Sequence, residues 1–555
     1  MIRALPQALV AAASSRGGYG FTGGGEDRFQ PFAAVLDTAR AVGGALRARG
    51  LRRGDHVALL LAEPQAFLAT FLGVSVAGLV PMPLAHPLHG GADLDAITPL
   101  ARTGEARAIV TTSALAPLLE GLPAAIPGLR FVAAWETLTG PALDDVEHPA
   151  DDDAALVQFT SGSTSQPKGV VITHRNLAAN IQAIGGAAGL AFGPDDSGVG
   201  WLPLFHDMGL IGNALCPLYF GFTCVFLSPA AFVKRPLDWL TAISRLRATM
   251  SFAPNFAYDM CVRRVKDADL HGLDLSSWRV AGCGAEPIQA ATLRTFAEKF
   301  ARAGFRETSL IPAYGLAEHT LAVTLSPRDV GPRVDVVHAA DLADHRRAVP
   351  CGADDPAAVP LVSCGRPFPG HQIRIVDDRG DGLGERAVGE IVVAGPSVML
   401  GYLNAARLTK EVARDGWLRT GDIGYIAGGE LYVCGRRKEM IIVNGRNHFP
   451  QDLERIAGRV PGVRPGRVAA FGVTAAGGSD RLVVVAEAHG TVAAEPLTAA
   501  LRRELLEWTG LVIDEVLIVA RGTISRTTSG KVQRTRLRER YAQGTLLRRP
   551  APSRA

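Results

Sequence analysis

Residues 160–169 read TSGSTSQPKG, between the apolar run Ala155–Phe159 (ALVQF) and the β-rich run Val170–Thr173 (VVIT). Two strand-like segments joined by a hydroxyl-rich, glycine-containing loop predict a hairpin whose turn can wrap an anion. Thr160, Ser161, Ser163 and Thr164 supply hydroxyls, and Gly162 and Gly169 let backbone N–H groups turn inward. Lys168 adds a cation beside them. The string differs from a Walker loop, because G-K-[ST] is absent and no phosphate-capping helix directly follows. Its chemistry suits the oxygens of a phosphate chain.

Outward from this hairpin, strands and helices alternate. His56–Leu61 (HVALLL) reads as a buried strand and Pro64–Leu79 as a buried helix with proline at its start. Ala108–Thr112 and Phe131–Ala134 read as further strands, with Ala/Leu helical patterns between them. That rhythm predicts an α/β fold with a largely parallel, helix-covered sheet. Gly389–Ala394 and Glu430–Val433 read as short strands of a small β-rich subdomain. Beyond residue 434 the composition changes: Met440–Val443, Val468–Val473, Leu482–Ala488 and the helical run Pro496–Trp508 make a compact α+β domain. A chain of 555 residues is in any case too long for one core. The expected units are residues 1–434, a hinge at 435–438, a small mobile domain at 439–536 and a poorly ordered basic tail at 537–555. That tail sets Arg536, Arg538, Arg540, Arg548, Arg549 and Arg554 against one acid, Glu539.

Composition excludes several classes. A net charge of +4 gives no reason to expect nucleic acid as partner. Seven scattered cysteines without a C-x-x-C pair argue against a disulfide framework or a zinc site and point to a reducing cytoplasm. The N-terminal run MIRALPQALVAAASS has one basic residue and is broken by Pro6 and Gln7, so it reads as a first helix rather than a signal peptide. The longest apolar stretch, Ala66–Val80, is too short to span a bilayer, so membrane insertion is not expected.

Further strings follow in order: GAE at Gly284–Glu286, YGLAEHT at Tyr314–Thr320, RTGDIG at Arg419–Gly424, GRRK at Gly435–Lys438 and SRTTSGK at Ser525–Lys531. Together with TSGSTSQPKG they resemble the adenylate-forming superfamily of acyl-CoA synthetases, firefly luciferase and the adenylation domains of nonribosomal peptide synthetases. The resemblance runs from about Leu5 to about Arg536. It implies that the hairpin, through Thr160–Thr164 and Lys168, holds the phosphates of ATP. Gly284, Ala285, Glu286, Gly315 and Leu316 would line the adenine, Tyr314 would stack on it, and Asp422 would accept from both ribose hydroxyls with Arg436 nearby. Glu318 would hold Mg²⁺, Lys438 would be the hinge pivot and Lys531 the catalytic lysine. The chemistry agrees. A carboxylate attacking a phosphate brings two anions together, so a cation and a metal ion must be supplied. A carboxylate oxygen suits Mg²⁺, and an aspartate matches two vicinal hydroxyls.

The runs WLPLFHDMGLIG (Trp201–Gly212), APNFAYDMC (Ala253–Cys261), LVSCGRPFP (Leu361–Pro369) and GRNHFPQDLE (Gly445–Glu454) resemble the fatty acyl-AMP ligase branch. That resemblance implies a fatty acid as substrate. The acceptor would be the phosphopantetheine thiol of a holo acyl carrier protein on a separate chain, since no Asp-Ser-Leu carrier signature occurs here. His206 would stand at the acyl carboxylate gate as a catalytic residue, and Met208 and Ile211 would line the acyl channel. The Pro-, Asp- and Ala-rich segment at about 325–361 resembles the branch's insertion, which is thought to restrain the C-terminal domain. A fatty acyl-CoA synthetase, or a non-catalytic adenylate-binding protein on the same fold, are the alternatives.

Overall fold

The computed structural model describes residues 3–22, 27–86, 97–160, 168–443, 446–474, 480–490, 492–509, 511–526 and 532–546. Ser161, Gly162, Ser163, Thr164 and Lys531 lie outside them.

Nine strands form the largest sheet. From one edge they are Arg366–Pro367, Ala322–Leu325, Leu310–Gly315, Val280–Cys283, Met250–Ala253, Ser197–Gly200, Thr223–Phe226, Gly18–Phe21 and Arg28–Pro31. The central strands are parallel and the edges antiparallel. A second sheet, Val80–Pro83, His56–Leu59, Ala106–Thr111 and Phe131–Ala134, is wholly parallel. Three of its strands fall on the runs expected at 56–61, 108–112 and 131–134, and Val80–Pro83, directly after the buried helix, was not expected. Helix Pro64–Val76 buries every residue but one, which explains why its sequence is apolar all round. Behind the large sheet, Trp239, Tyr258, Trp278 and Phe296 pack edge to face, with centroids of Trp239 and Trp278 5.2 Å apart.

Ala154–Thr160 and Lys168–Thr173 form the expected antiparallel hairpin, ending on the cross-strand pair Thr160–Lys168. The β-rich subdomain is an antiparallel sheet of Gln372–Val376, Gly389–Ala394, Trp417–Ala427, Ala413–Arg414 and Glu430–Arg436. The inserted segment is itself a hairpin, Val334–His338 with Ala358–Val362, carrying helix Ala339–Asp344. Asp335 anchors it, accepting from Tyr425 Oη at 2.7 Å and pairing with Arg386 at 2.9 Å.

The C-terminal sheet orders Val463–Thr474, Asp480–Ala488 and Glu515–Val519. Period-2 alternation along its middle strand decides the layering. Leu482, Val484 and Ala486 face helices Pro450–Ala457 and Ala494–Thr509, whereas Val483 and Val485 face the other side. There they meet Leu537 and Tyr541 of helix Arg534–Ala542. The disordered tail expected from residue 537 is corrected here. Leu537 is fully buried and Tyr541 Oη donates to Glu515 Oε2 at 2.6 Å, so the basic run is pinned as a helix through Ala542. Among the described residues, no helix is long and apolar enough to cross a membrane.

Candidate active site

A cavity of about 510 Å³ opens where the parallel strands of the large sheet end. Trp201, Pro254, Gly284 and Tyr314–Leu316 all line it from the carboxyl ends of their strands, which is where open α/β sheets bind ligands. The wall is completed by Thr160 and Lys168 of the hairpin, by Thr420–Asp422 of the subdomain and by Arg436–Glu439, where a hinge is expected. Segments far apart in sequence therefore meet around one space.

Asp422 is held firmly in its wall. It is 5% exposed. Oδ2 accepts from Tyr314 Oη at 2.7 Å, Oδ1 pairs with Arg436 Nε at 3.0 Å, and its backbone N–H donates to Thr420 Oγ1 at 3.0 Å. The Asp422 charge holds the Arg436 guanidinium above its usual range. Burial, with that same carboxylate beside it, pushes the Tyr314 phenol well up. A second group gathers at Glu318, whose Oε1 accepts from Tyr402 Oη at 2.8 Å. Lys168 Nζ lies 5.2 Å from the Tyr402 ring centroid. Burial pulls the Lys168 ammonium down, Lys438 adds repulsion, and Glu318 and Glu411 oppose both. The turn after Tyr314 is shaped by backbone constraint. A side chain on Gly315 would meet Leu321 O at 2.0 Å, and Thr320 adopts φ +68°. Ala285 likewise sits at φ +67°, a cost non-glycine residues carry mainly at functional sites.

Most expected site residues therefore line this cavity: Thr160, Lys168, His206, Met208, Gly284, Ala285, Tyr314, Gly315, Leu316, Glu318, Asp422, Arg436 and Lys438. Two do not. Glu286 turns back to accept from the backbone N–H of Phe256 at 2.6 Å, fixing the first turn of helix Asn255–Arg264. Ile211 points into the core, fully buried. The local winding is also unexpected: Met208–Leu215 is a π-helix, in which Met208, Gly209 and Gly212 line the cavity and Ile211 does not. Sequence reasoning missed Tyr402, the partner of Glu318, and Gly212; each is a single residue in a run without periodicity.

Glu318 presents a carboxylate to the cavity beside Lys168 and Tyr402, which fits a Mg²⁺ ion held by one carboxylate and substrate phosphates. Among the described residues no cluster of three acidic, histidine or cysteine side chains forms an all-protein metal cage.

The same cavity also has a hydrocarbon lining: Phe252, Phe256, Met208, Leu321, Leu325 and Ile184. A family model described as AMP-binding enzyme matches residues 12–403, and one described as the AMP domain of Disco-interacting protein 2-like proteins matches residues 438–549. This chain belongs to the AMP-binding enzyme family.

Within the AMP-binding enzymes it stands on the fatty acyl-AMP ligase branch. It is 36% identical to a structure from a study of fatty acyl-adenylate ligases of E. coli and L. pneumophila, with a TM-score of 0.91 over 98% of both chains. It is 35% identical over 564 residues to the medium-chain-fatty-acid–[acyl-carrier-protein] ligase JamA of Moorena producens, covering 96% of this chain and 93% of JamA. A Caulobacter vibrioides protein provisionally named an acyl-CoA synthetase is 38% identical over 523 residues, covering 93% and 91%.

Proposed function

We propose that this AMP-binding enzyme activates a fatty acid with ATP and delivers the acyl group to the phosphopantetheine thiol of a separate acyl carrier protein. In the first step a carboxylate oxygen bonds to the α-phosphorus, the bond to the β-phosphate oxygen breaks, and pyrophosphate leaves. In the second the thiol sulfur bonds to the acyl carbon, AMP leaves, and the thiol proton passes to solvent.

One observation carries the reading: a single cavity is lined both by polar groups suited to a nucleotide, Asp422, Arg436, Glu318 and Lys168, and by apolar side chains suited to an acyl chain, Phe252, Phe256, Leu321 and Leu325. Asp422, fixed by Tyr314 and Arg436, is suited to accept from ribose hydroxyls, and the Tyr314 ring to cover the adenine. Lys168 is suited to the phosphates and Glu318 to Mg²⁺, which when bound would offset the charge of the triphosphate. His206 lines the cavity beside Met208, where the acyl carboxylate would enter. Lys531 would reach this point from the C-terminal domain. Its loop closes on either side through the bridge between Arg526 and Val532 and the Gln533 N–H donating to Ser525 O at 3.0 Å. Rotation about Lys438 would then withdraw Lys531 and admit the thiol.

A carrier-protein acceptor is supported by the name of JamA and by the insertion, whose helix Ala339–Asp344 packs against strand Arg446–His448 beyond the hinge. Seven unpaired thiols support a cytoplasmic setting. ATP–pyrophosphate exchange with a series of fatty acids tests the first step. Exchange dependent on the acid is expected, and its absence with every acid would overturn the proposal.

A further inference from the structure

We propose that Gly212 sets the length of acyl chain this enzyme accepts, by leaving open the volume a side chain would fill; the inference rests on the acyl-adenylating reading above. Gly212 lies inside the π-helix Met208–Leu215. Glycine in a helix interior is less favourable than alanine, so its presence there needs a cause. Backbone conformation is not that cause, because Gly212 is outside the left-handed region. Crowding is not either. A Cβ built on Gly212 would lie 3.6 Å from Phe252 Cδ2 and 3.7 Å from Leu321 Cδ2, which is ordinary contact.

Its neighbours show what real crowding looks like. A Cβ on Gly209 would sit 2.3 Å from Pro203 O, so that glycine is fixed by backbone packing. One on Gly282 would meet the Phe252 ring at 2.0 Å. Gly282 thus makes room for the Phe252 ring, while a Cβ on Gly212 would stand at ordinary contact distance from that ring in the cavity wall. The atoms nearest the empty Cβ position belong to Phe252 and Leu321, and the charged groups of Asp422, Arg436, Glu318 and Lys168 are not among them. The vacated volume therefore adjoins hydrocarbon, and its natural occupant is a methylene chain, which is stabilised by each CH₂ it buries. The substrate class this assigns is the unbranched aliphatic acid long enough to run past Gly212.

The test is the ratio of kcat/KM for a long acid (dodecanoate) to that for a short one (hexanoate) in acid-dependent pyrophosphate exchange. It compares the full-length enzyme with Gly212→Ala and Gly212→Leu. Gly212→Leu is expected to lower the ratio roughly tenfold or more, the scale on which a packed pocket rejects extra methylenes. Gly212→Ala, whose added carbon meets only ordinary contacts, should fold and lower the ratio by a smaller factor. An unchanged ratio in the alanine variant and in any folded leucine variant, whatever happens to overall activity, would overturn the inference. Unmodified enzyme inactive towards every acid would instead strike at the functional reading on which it rests.

Discussion

Tyr314 and Asp422 are 108 residues apart in sequence and joined by a 2.7 Å hydrogen bond from phenol to carboxylate. The bond ties the end of a parallel strand in the large sheet to the antiparallel subdomain. Through Arg436, on the other carboxylate oxygen, it also reaches the strand that runs into the hinge. Three parts of the chain thus hold one aspartate in place before any nucleotide arrives.

Asp422→Ala should therefore raise the KM for ATP roughly tenfold or more, since hydrogen bonds to a charged group contribute about 1.5–3 kcal/mol. Pyrophosphate exchange at saturating fatty acid and varied ATP measures it. An unchanged KM would remove Asp422 from the nucleotide site.

Lys531→Ala should slow adenylate formation by roughly 10²-fold or more, because a preorganised cation at the reacting charge is lost. Single-turnover release of pyrophosphate reads the step directly, and a circular dichroism melt checks that the fold persists. Near-normal release would take the catalytic role away from this lysine.

Arg534 follows that lysine by three residues. Its side chain is 12% exposed and forms two 2.7 Å bonds to Glu454 and one of 2.6 Å to Glu439, next to Lys438. Removing one partner of a buried charge network typically costs about 3–5 kcal/mol, because the remaining charges stay buried. Arg534→Ala should accordingly speed hydrogen exchange throughout the sheet 463–519, with Arg534→Lys recovering part of the protection. Exchange identical to that of the unmodified protein would show the network to be dispensable.

Two buried histidines predict a pH response. Burial pushes His319 and His174 down to about 4 from their ordinary 6.5. The folded state keeps both rings neutral: His319 donates through Nδ1 to Ala322 O at 2.9 Å, and His174 Nδ1 accepts the Leu5 N–H at 3.2 Å. The unfolded chain binds protons at these sites below 6.5 and the folded chain does not. Stability is therefore complete above pH 6.5 and falls as pH drops towards 4, by roughly 3 kcal/mol for each histidine. Urea unfolding between pH 7.5 and 4.5 measures the slope. His319→Asn should flatten it by up to one proton, and an unaltered slope would contradict the assignment.

Much of this architecture could be read from the chain because its signals are local. The hairpin around TSGSTSQPKG shows as two apolar runs flanking a hydroxyl-rich turn, and the C-terminal strand Asp480–Ala488 shows as the continuous apolar run Leu482–Ala486. Helix Pro64–Val76 announced its burial by having no polar face. What could not be read depends on winding and on distant partners. The apolar run at Leu210 and Ile211 suits an α-helix or a π-helix equally, and nothing in it marks Gly212 rather than Ile211 as the residue that lines the cavity. Tyr402 matters because a segment 84 residues away brings Glu318 against it. The basic run after Arg534 looked like a solvated tail because one buried residue, Leu537, carries its docking.

The account is tested most directly by intact-mass measurement in a single reaction containing the enzyme, ATP, Mg²⁺, dodecanoate and equal amounts of holo carrier protein and coenzyme A. The predicted result is a carrier heavier by one acyl group, formed faster than acyl-CoA and absent when ATP is omitted. An unmodified carrier alongside accumulating acyl-CoA would contradict it.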